Sequence, residues 1–301
     1  MKFSSETRYD LIVYAFKSIQ LHYIMDKKNT NLNDLLVKNI VTDAMYHLSN
    51  QIEEYNKILN NELNHILNFV VSNMKIEDDY YRDKIYEILD MMSHYNIGKT
   101  SVIDNIIIDS NNDYQLIENC RLYLELYNAR QNRNGQHEDN EIAADKFIFE
   151  KVIKQVSIDL YGKHNVKQKI KGINDIGQSL IADTIISKGK WYLLLDAKFY
   201  STDIIHTNKT GKKTYYYQNN RFQMCSYMTE IRDIHEIRDS NVRGLIVHAL
   251  DNEKFTMCKE LNNHSMDIGH NMINLVVINI DCSAIEIIEQ IKNSLLLYLN
   301  I

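Results

Sequence analysis

Proline is absent from all 301 residues of this chain, and glycine occurs only nine times. At ordinary usage of ~5%, a chain of this length carries about 15 prolines. The absence excludes proline-rich linkers, polyproline ligands, collagen-like repeats and any switch built on a cis-proline bond. A chain so poor in both breakers is expected to consist largely of continuous helix joined by short turns. Apolar residues make up 45% of the chain, enough for one large domain or two ordinary ones.

The formal net charge of -6 argues against a wholesale basic coat for nucleic acid and against a membrane-surface protein. No run of ~18 apolar residues occurs, so no membrane span is expected. The opening MKFSSETRYD lacks the apolar core of a signal peptide. Cys120, Cys225, Cys258 and Cys282 lie far apart, with no CxxC pair. That pattern fits reduced thiols in a cytoplasmic protein and gives no structural zinc site.

Helical spacing dominates up to Tyr127: Leu63, Ile66, Leu67 and Val70 form one stripe, Ile85, Ile88, Leu89 and Met92 another. Leu116, Cys120, Tyr123, Leu124 and Tyr127 form a third, while 103–108 reads as a short strand or a connector. No repeat of solenoid length is present. Residues 128–140 are almost without apolar residues, and the domain boundary is expected there: a helical N-terminal region over 1–137, for partner or DNA binding, and a second domain over 138–301. The second opens with a helix over 141–161. Its period then changes: LIADTIIS (180–187) and WYLLLDAKFY (191–200) are strand-like runs separated by Lys188-Gly189-Lys190, a hairpin signal. A helix over 218–231, strands over 242–249, 255–259 and 275–280, and a last helix over 283–299 complete an α/β domain with a mixed central sheet.

Two carboxylates interrupt these apolar strands. Asp183 breaks LIADTII, and Asp196 breaks YLLLDAKF with Lys198 two residues on. Strand residues two apart share a face, so Asp196 and Lys198 point the same way. An ionised carboxylate on a buried strand is costly unless paired or metal-bound, and two on adjacent hairpin strands can converge on one hard cation such as magnesium. An acid-x-lysine triplet alone carries little weight, since Asp26-Lys27-Lys28 also fits. A surface ion pair at a strand end is the plain alternative. The context favours a site: two acid-bearing strands joined by a tight turn, after a helix carrying Glu150.

These residues resemble the PD-(D/E)xK nuclease superfamily, whose signature is an acid on one strand, an acid-x-lysine on the next and often a glutamate on the preceding helix. Asp183, Asp196-Ala197-Lys198 and Glu150 occupy those places. Downstream, Gln223 and Tyr227 in RFQMCSYM match the QxxxY element found after the lysine in several branches, and i, i+4 residues share a helix face. The set FIFEK, IADTII, LLLDAKFY and FQMCSYM is similar, over about residues 141–235, to the McrC-like nuclease subunits of modification-dependent restriction systems and their LlaJI-type relatives. Ala182 stands where that family usually has proline. No finger-like hairpin of the kind that docks on an AAA+ motor is evident in the N-terminal region.

The resemblance implies a restriction-endonuclease-like fold and a Mg²⁺-dependent DNA endonuclease, with Mn²⁺ able to substitute. Asp183, Asp196, the carbonyl of Ala197 and Glu150 would hold the metal, Lys198 would act on the attacking water, and Gln223 and Tyr227 would support the site. The implied partners are DNA, a separate McrB-like AAA+ GTPase and, for double-strand cleavage, a second copy of the chain. A self-sufficient restriction enzyme and a catalytically silent assembly subunit are the alternatives. Charge adds to this: from Lys163 to Lys213 there are ten lysines against four aspartates, a local +6 that leaves -12 on the rest. Lys188, Lys190, Lys209, Lys212 and Lys213 are therefore candidate DNA contacts. The GKT at 98–100 lacks the first glycine and the preceding strand of a phosphate-binding loop, so the chain is not expected to be its own motor.

Overall fold

A computed structural model describes residues 2–17, 32–101, 111–131, 140–167, 172–173, 179–180, 182–199, 205–207, 213–215, 218–236, 241–259, 264–268 and 271–299. By contacts the chain forms two compact units: residues 16–144, and residues 1–15 together with 145–301. The expected single boundary between 137 and 138 differs from this in one respect that matters. Helix α1 (Ser5–Ala15) belongs to the sheet-containing unit, not to the helical one.

The helical unit contains α2 (Leu32–Tyr55), α3 (Glu62–Ser72), α4 (Asp79–His94) and α5 (Asn111–Gln131). Asn61 caps α3 and Asp78 caps α4, each side chain accepting from a backbone N–H of the first turn. The stripes read from sequence lie in its core, where Leu67, Ile88, Met92 and Leu116 are almost wholly buried together with Leu36 and Ile40 of α2. Several asparagines are buried with them, and each is bonded. Asn64 Nδ2 donates to Gln51 Oε1 and to the Leu59 carbonyl, and Asn119 Nδ2 donates to Asp43. The segment 103–108 lies outside the described residues.

Helix α6 (Asn140–Tyr161), which belongs to the other unit from Asp145 on, leads through a 3-10 turn (Lys163–Asn165) into β1 (Val166–Lys167). Two short strands, β2 (Gly172–Ile173) and β3 (Ser179–Leu180), pair with each other. Next come β4 (Thr184–Lys188) and β5 (Trp191–Phe199), then the antiparallel pair β6 (Ile205–Thr207) and β7 (Lys213–Tyr215). Helix α7 (Gln218–His235), β8 (Val242–Leu250), α8 (Asn252–Cys258), β9 (His264–Ile268), β10 (Asn271–Asn279) and α9 (Ala284–Leu299) follow. The main sheet has six strands in the order β1-β4-β5-β8-β10-β9. β5, β8 and β10 run parallel, while β1, β4 and β9 pair antiparallel to their neighbours. The unit is thus α/β with a mixed sheet, as expected.

The hairpin read from Lys188-Gly189-Lys190 is present, with Lys188 opposite Trp191. Of the two loop residues only Gly189 has positive φ, +60°, as a turn with glycine in its first central position requires. One expected strand is a helix: residues 255–259 fall within and just after α8, whose first turn is capped by Asp251 accepting from Lys254 N–H. The expected run 180–187 is also broken, at Ala182 and Asp183, into β3 and β4. Gly244 on β8 lets α7 come close, because a Cβ there would stand 2.5 Å from Met224 Cγ. Leu194, Ile246 and Leu275 of the sheet pack with Met224, Tyr227 and Met228 of α7 in one buried cluster. That packing fixes the helix that carries Gln223 and Tyr227 over the strand that carries Lys198.

Candidate active site

The pairing of β4 with β5 ends at Thr184 opposite Leu195, so Asp183, one residue before, stands across from Asp196. Both share the face of Ile185 and Leu194, the side covered by α7. Asp183 Oδ2 accepts the backbone N–H of Ala197 at 2.7 Å. This is a side chain doing, at the break in β4, what a ladder carbonyl would otherwise do. The first acid is thereby tied to the middle residue of the Asp196-Ala197-Lys198 triplet.

Asp196 and Lys198 are buried, at 3% and 5% exposure, which disposes of a surface ion pair. Lys198 Nζ lies 2.6 Å from Asp196 Oδ2. The contact is ionic and poorly aligned, since that oxygen accepts no well-directed hydrogen bond among the described residues. Lys198 Nζ also donates to Gln223 Oε1 at 3.1 Å, and Gln223 Nε2 donates to the Tyr227 hydroxyl at 2.5 Å. The QxxxY pair therefore works as a unit: the tyrosine holds the amide, and the amide turns its carbonyl towards the lysine. Tyr227 is buried and its hydroxyl is pushed up by burial and by the charges of Asp196 and Asp183, so it stays protonated.

Glu150 joins from α6, half-buried, with Lys146 one turn back at 3.9 Å. Burial pushes its carboxyl up, opposed by Lys146 and Lys151 and reinforced by Asp196. Asp183 is pushed well above the ordinary carboxylate range, first by burial and then by the charges of Glu150 and Asp196. Burial outweighs Lys198 at Asp196, whose carboxyl is also raised. Burial thus raises all three acids in spite of Lys198 at 2.6 Å from Asp196 and Lys146 at 3.9 Å from Glu150.

The structure thus joins Asp183, Asp196, Ala197, Lys198, Gln223 and Tyr227 by direct contacts, while Glu150 on α6 meets them through charge alone. It does not bring Lys188 and Lys190 to them. Those two flank the hairpin turn at the opposite end of β5, roughly 20 Å away at ~3.3 Å per residue. Lys213 lies in β7, and Lys209 and Lys212 lie outside the described residues. Among the described residues, no group of three or more His, Cys, Asp or Glu side chains is arranged to hold a metal ion by itself.

One residue of the site was missed. His248 on β8 is the in-register neighbour of Lys198, is 3% exposed, and neither ring nitrogen has a partner among the described residues. Burial, and then the charge of Lys198, push it down to about 3, so it is neutral. The signal was of the kind that revealed Asp196: a polar residue interrupting an apolar run, here GLIVHAL.

Among the described residues, no helix is long and apolar enough to cross a membrane. The chain matches no protein-family model and no curated protein, so what it does rests on the site itself.

Proposed function

We propose that the sheet-containing unit is a Mg²⁺-dependent nuclease of PD-(D/E)xK type that hydrolyses DNA phosphodiester bonds. The observation that carries this reading is Asp183 standing across from Asp196, with Asp183 Oδ2 accepting Ala197 N–H at 2.7 Å and Lys198 Nζ 2.6 Å from Asp196 Oδ2. Hard carboxylate oxygens suit magnesium, which needs only one or two of them because water and phosphate oxygens complete its shell. Two facing aspartates are therefore a sufficient protein contribution, and the unaligned Oδ2 of Asp196 is an oxygen with bonding capacity to spare. In this reading Asp183 and Asp196 hold the ion with the carbonyl of Ala197, and Glu150 holds it directly or through water. When bound, the ion would lower the pKa of a water and offset charge developing on the phosphorane.

The remaining work falls to Lys198. Clamped between Asp196 and Gln223, its ammonium is aimed along the face that carries both acids, where it can orient the attacking water or offset transition-state charge. Tyr227 and Gln223 restrict its movement. The helical unit serves partner binding, and a McrB-like AAA+ GTPase is the partner that the resemblance suggests.

The test is cleavage of duplex DNA by the full chain with Mg²⁺ or Mn²⁺, alone and with a co-expressed AAA+ GTPase. Asp196→Asn and Lys198→Ala should each reduce cleavage by at least about 10²-fold. Mg²⁺ at ten times its dissociation constant should stabilise the wild type by about 1.4 kcal/mol and leave Asp183→Asn/Asp196→Asn unchanged. Unaltered cleavage in either single variant would refute the assignment.

A further inference from the structure

The basic residues that the active site does not use form a surface of their own at the other end of the sheet. β4 and β5 turn at Gly189-Lys190 with Lys188 opposite Trp191, so these two share a face. Arg243, at the start of β8, is opposite Leu193 and hence on that face too. Its guanidinium lies over the Trp191 ring, 5.7 Å from the centroid. The turn carrying Lys163 precedes β1 and is held against β4, where Ser187 Oγ donates to the Asn165 carbonyl. Lys163, Lys188 and Lys190 are exposed, and Trp191 and Arg243 are half-buried.

Two features distinguish this surface from ordinary solvated charge. No acidic residue occurs in 161–167, 184–195 or 241–250, so the three segments that form it carry only positive charge. None of Lys163, Lys188, Lys190 and Arg243 is ion-paired among the described residues. Arg8, Lys146, Lys254 and Lys292 of the same unit each sit within 4 Å of a carboxylate, at 2.6, 3.9, 3.9 and 3.3 Å. Cations left unpaired around an aromatic ring that already carries a guanidinium suit a polyanion with flat, stackable groups.

We propose that this surface is a second nucleic-acid contact, gripping the duplex backbone at a distance from the cut. The proposal deepens the nuclease reading and rests on it. Strand alternation puts Lys188, Trp191 and Arg243 on the face of the sheet opposite Asp183 and Asp196. Along β5, Trp191 is also about 17 Å from Asp196 at ~3.3 Å per residue. The duplex segment gripped here is therefore separate from the one that reaches the acids. The contact is to phosphate and is independent of sequence.

Trp191 is the chain's one tryptophan, so its emission reports this surface directly. The experiment titrates the full-length protein in EDTA, where no cleavage occurs, with a random-sequence 30-base-pair duplex. Trp191 emission and duplex anisotropy are followed from 50 to 200 mM salt. The expected result is a saturable emission change, and a log–log salt slope that becomes shallower by about two in Lys188→Gln/Lys190→Gln, with affinity lowered about tenfold. Both lysines flank an exposed turn, and Arg243→Gln provides a second variant away from it. Binding and emission changes equal to wild type in both variants would overturn the proposal. So would an emission change with phosphatidylserine vesicles and none with the duplex, which would make this a membrane-facing surface. Duplex binding through Trp191 by a protein that cuts no DNA with any divalent metal would sink the nuclease reading and leave this surface standing.

Discussion

The 2.7 Å bond from Ala197 N–H to Asp183 Oδ2 fixes an acid at a break in one strand to the backbone of the next. It also holds that acid within reach of Asp196 and Glu150, whose charges push its proton affinity up after burial has done so. The position therefore joins a structural acceptor to an electrostatic cost, and the two can be separated.

Asparagine at 183 keeps an acceptor oxygen and removes the charge; alanine removes both. The folded carboxyl titrates above its unfolded value of about 3.9. Its contribution is thus most favourable below that pH and is lost as pH rises through the raised folded value. Asp183→Asn is expected to be about 1–2 kcal/mol more stable than wild type at pH 8, with the difference vanishing near pH 4. Asp183→Ala should fall below Asp183→Asn by about 1–3 kcal/mol, the cost of an unpaired N–H. Urea denaturation at the two pH values measures this. An asparagine variant weaker than wild type at pH 8 would show that the acid is not repelled.

Lys198 is the close counter-charge to Asp196, so removing it alone strands a buried carboxylate. Lys198→Met should cost about 3–5 kcal/mol at pH 8, whereas Lys198→Met/Asp196→Leu should be near neutral. The single-variant loss should shrink towards pH 4, because Asp196 then takes up a proton in its raised range. A double-mutant cycle by urea denaturation gives the coupling; additivity within about 0.5 kcal/mol would mean that the 2.6 Å contact carries no energy.

His248 has the opposite sign. Its folded value of about 3 lies below the unfolded 6.5, so its stability contribution is full above pH 6.5 and is lost as pH falls towards 3. His248→Phe keeps a ring, removes two unpartnered nitrogens and removes this titration. Between pH 7.5 and pH 5 the variant should gain about 2 kcal/mol relative to wild type, 1.36 kcal/mol for each pH unit below 6.5. Comparing the two pH values cancels any constant packing penalty of the larger ring. A difference independent of pH would mean that the imidazole is not held neutral.

How much of this could be read in one dimension depended on how local the cause was. Asp183, Asp196 and Lys198 stood out because each interrupts an apolar run, and the turn between their strands announces itself through Gly189. Residues 255–259 were misread because Phe255 and Thr256 favour strand, while the decisive signal was the Asp251 cap one residue before the helix. His248 gave the interruption signal, but its pairing with Lys198 depends on strand register across a crossover, which no spacing reveals. The return of α1 to the sheet unit was least legible, because it hangs on two charges 137 positions apart.

Those charges are Arg8 and Asp145. Arg8 Nε and Nη2 reach the two oxygens of Asp145 at 2.6 and 3.1 Å, and Phe3 N–H donates to the same carboxylate at 2.9 Å. Asp145 is wholly buried, just over one turn before Glu150 on α6. The Phe3 ring packs 5.2 Å from Phe199, the residue after Lys198, and Phe199 packs 5.8 Å from Phe149, the residue before Glu150. The N-terminal segment therefore braces α6 and β5 where each delivers a site residue. Removing residues 1–15 leaves Asp145 charged, buried and without these partners, and should destabilise the sheet unit by at least about 3–5 kcal/mol. Arg8→Met should lose a similar amount, and Arg8→Met/Asp145→Leu should recover most of it. If the double variant recovers stability and also keeps duplex cleavage, the brace acts through packing alone. If it recovers stability but loses cleavage, the charged pair also sets where Glu150 stands. Equal stability of wild type and Arg8→Met in urea would rule the brace out.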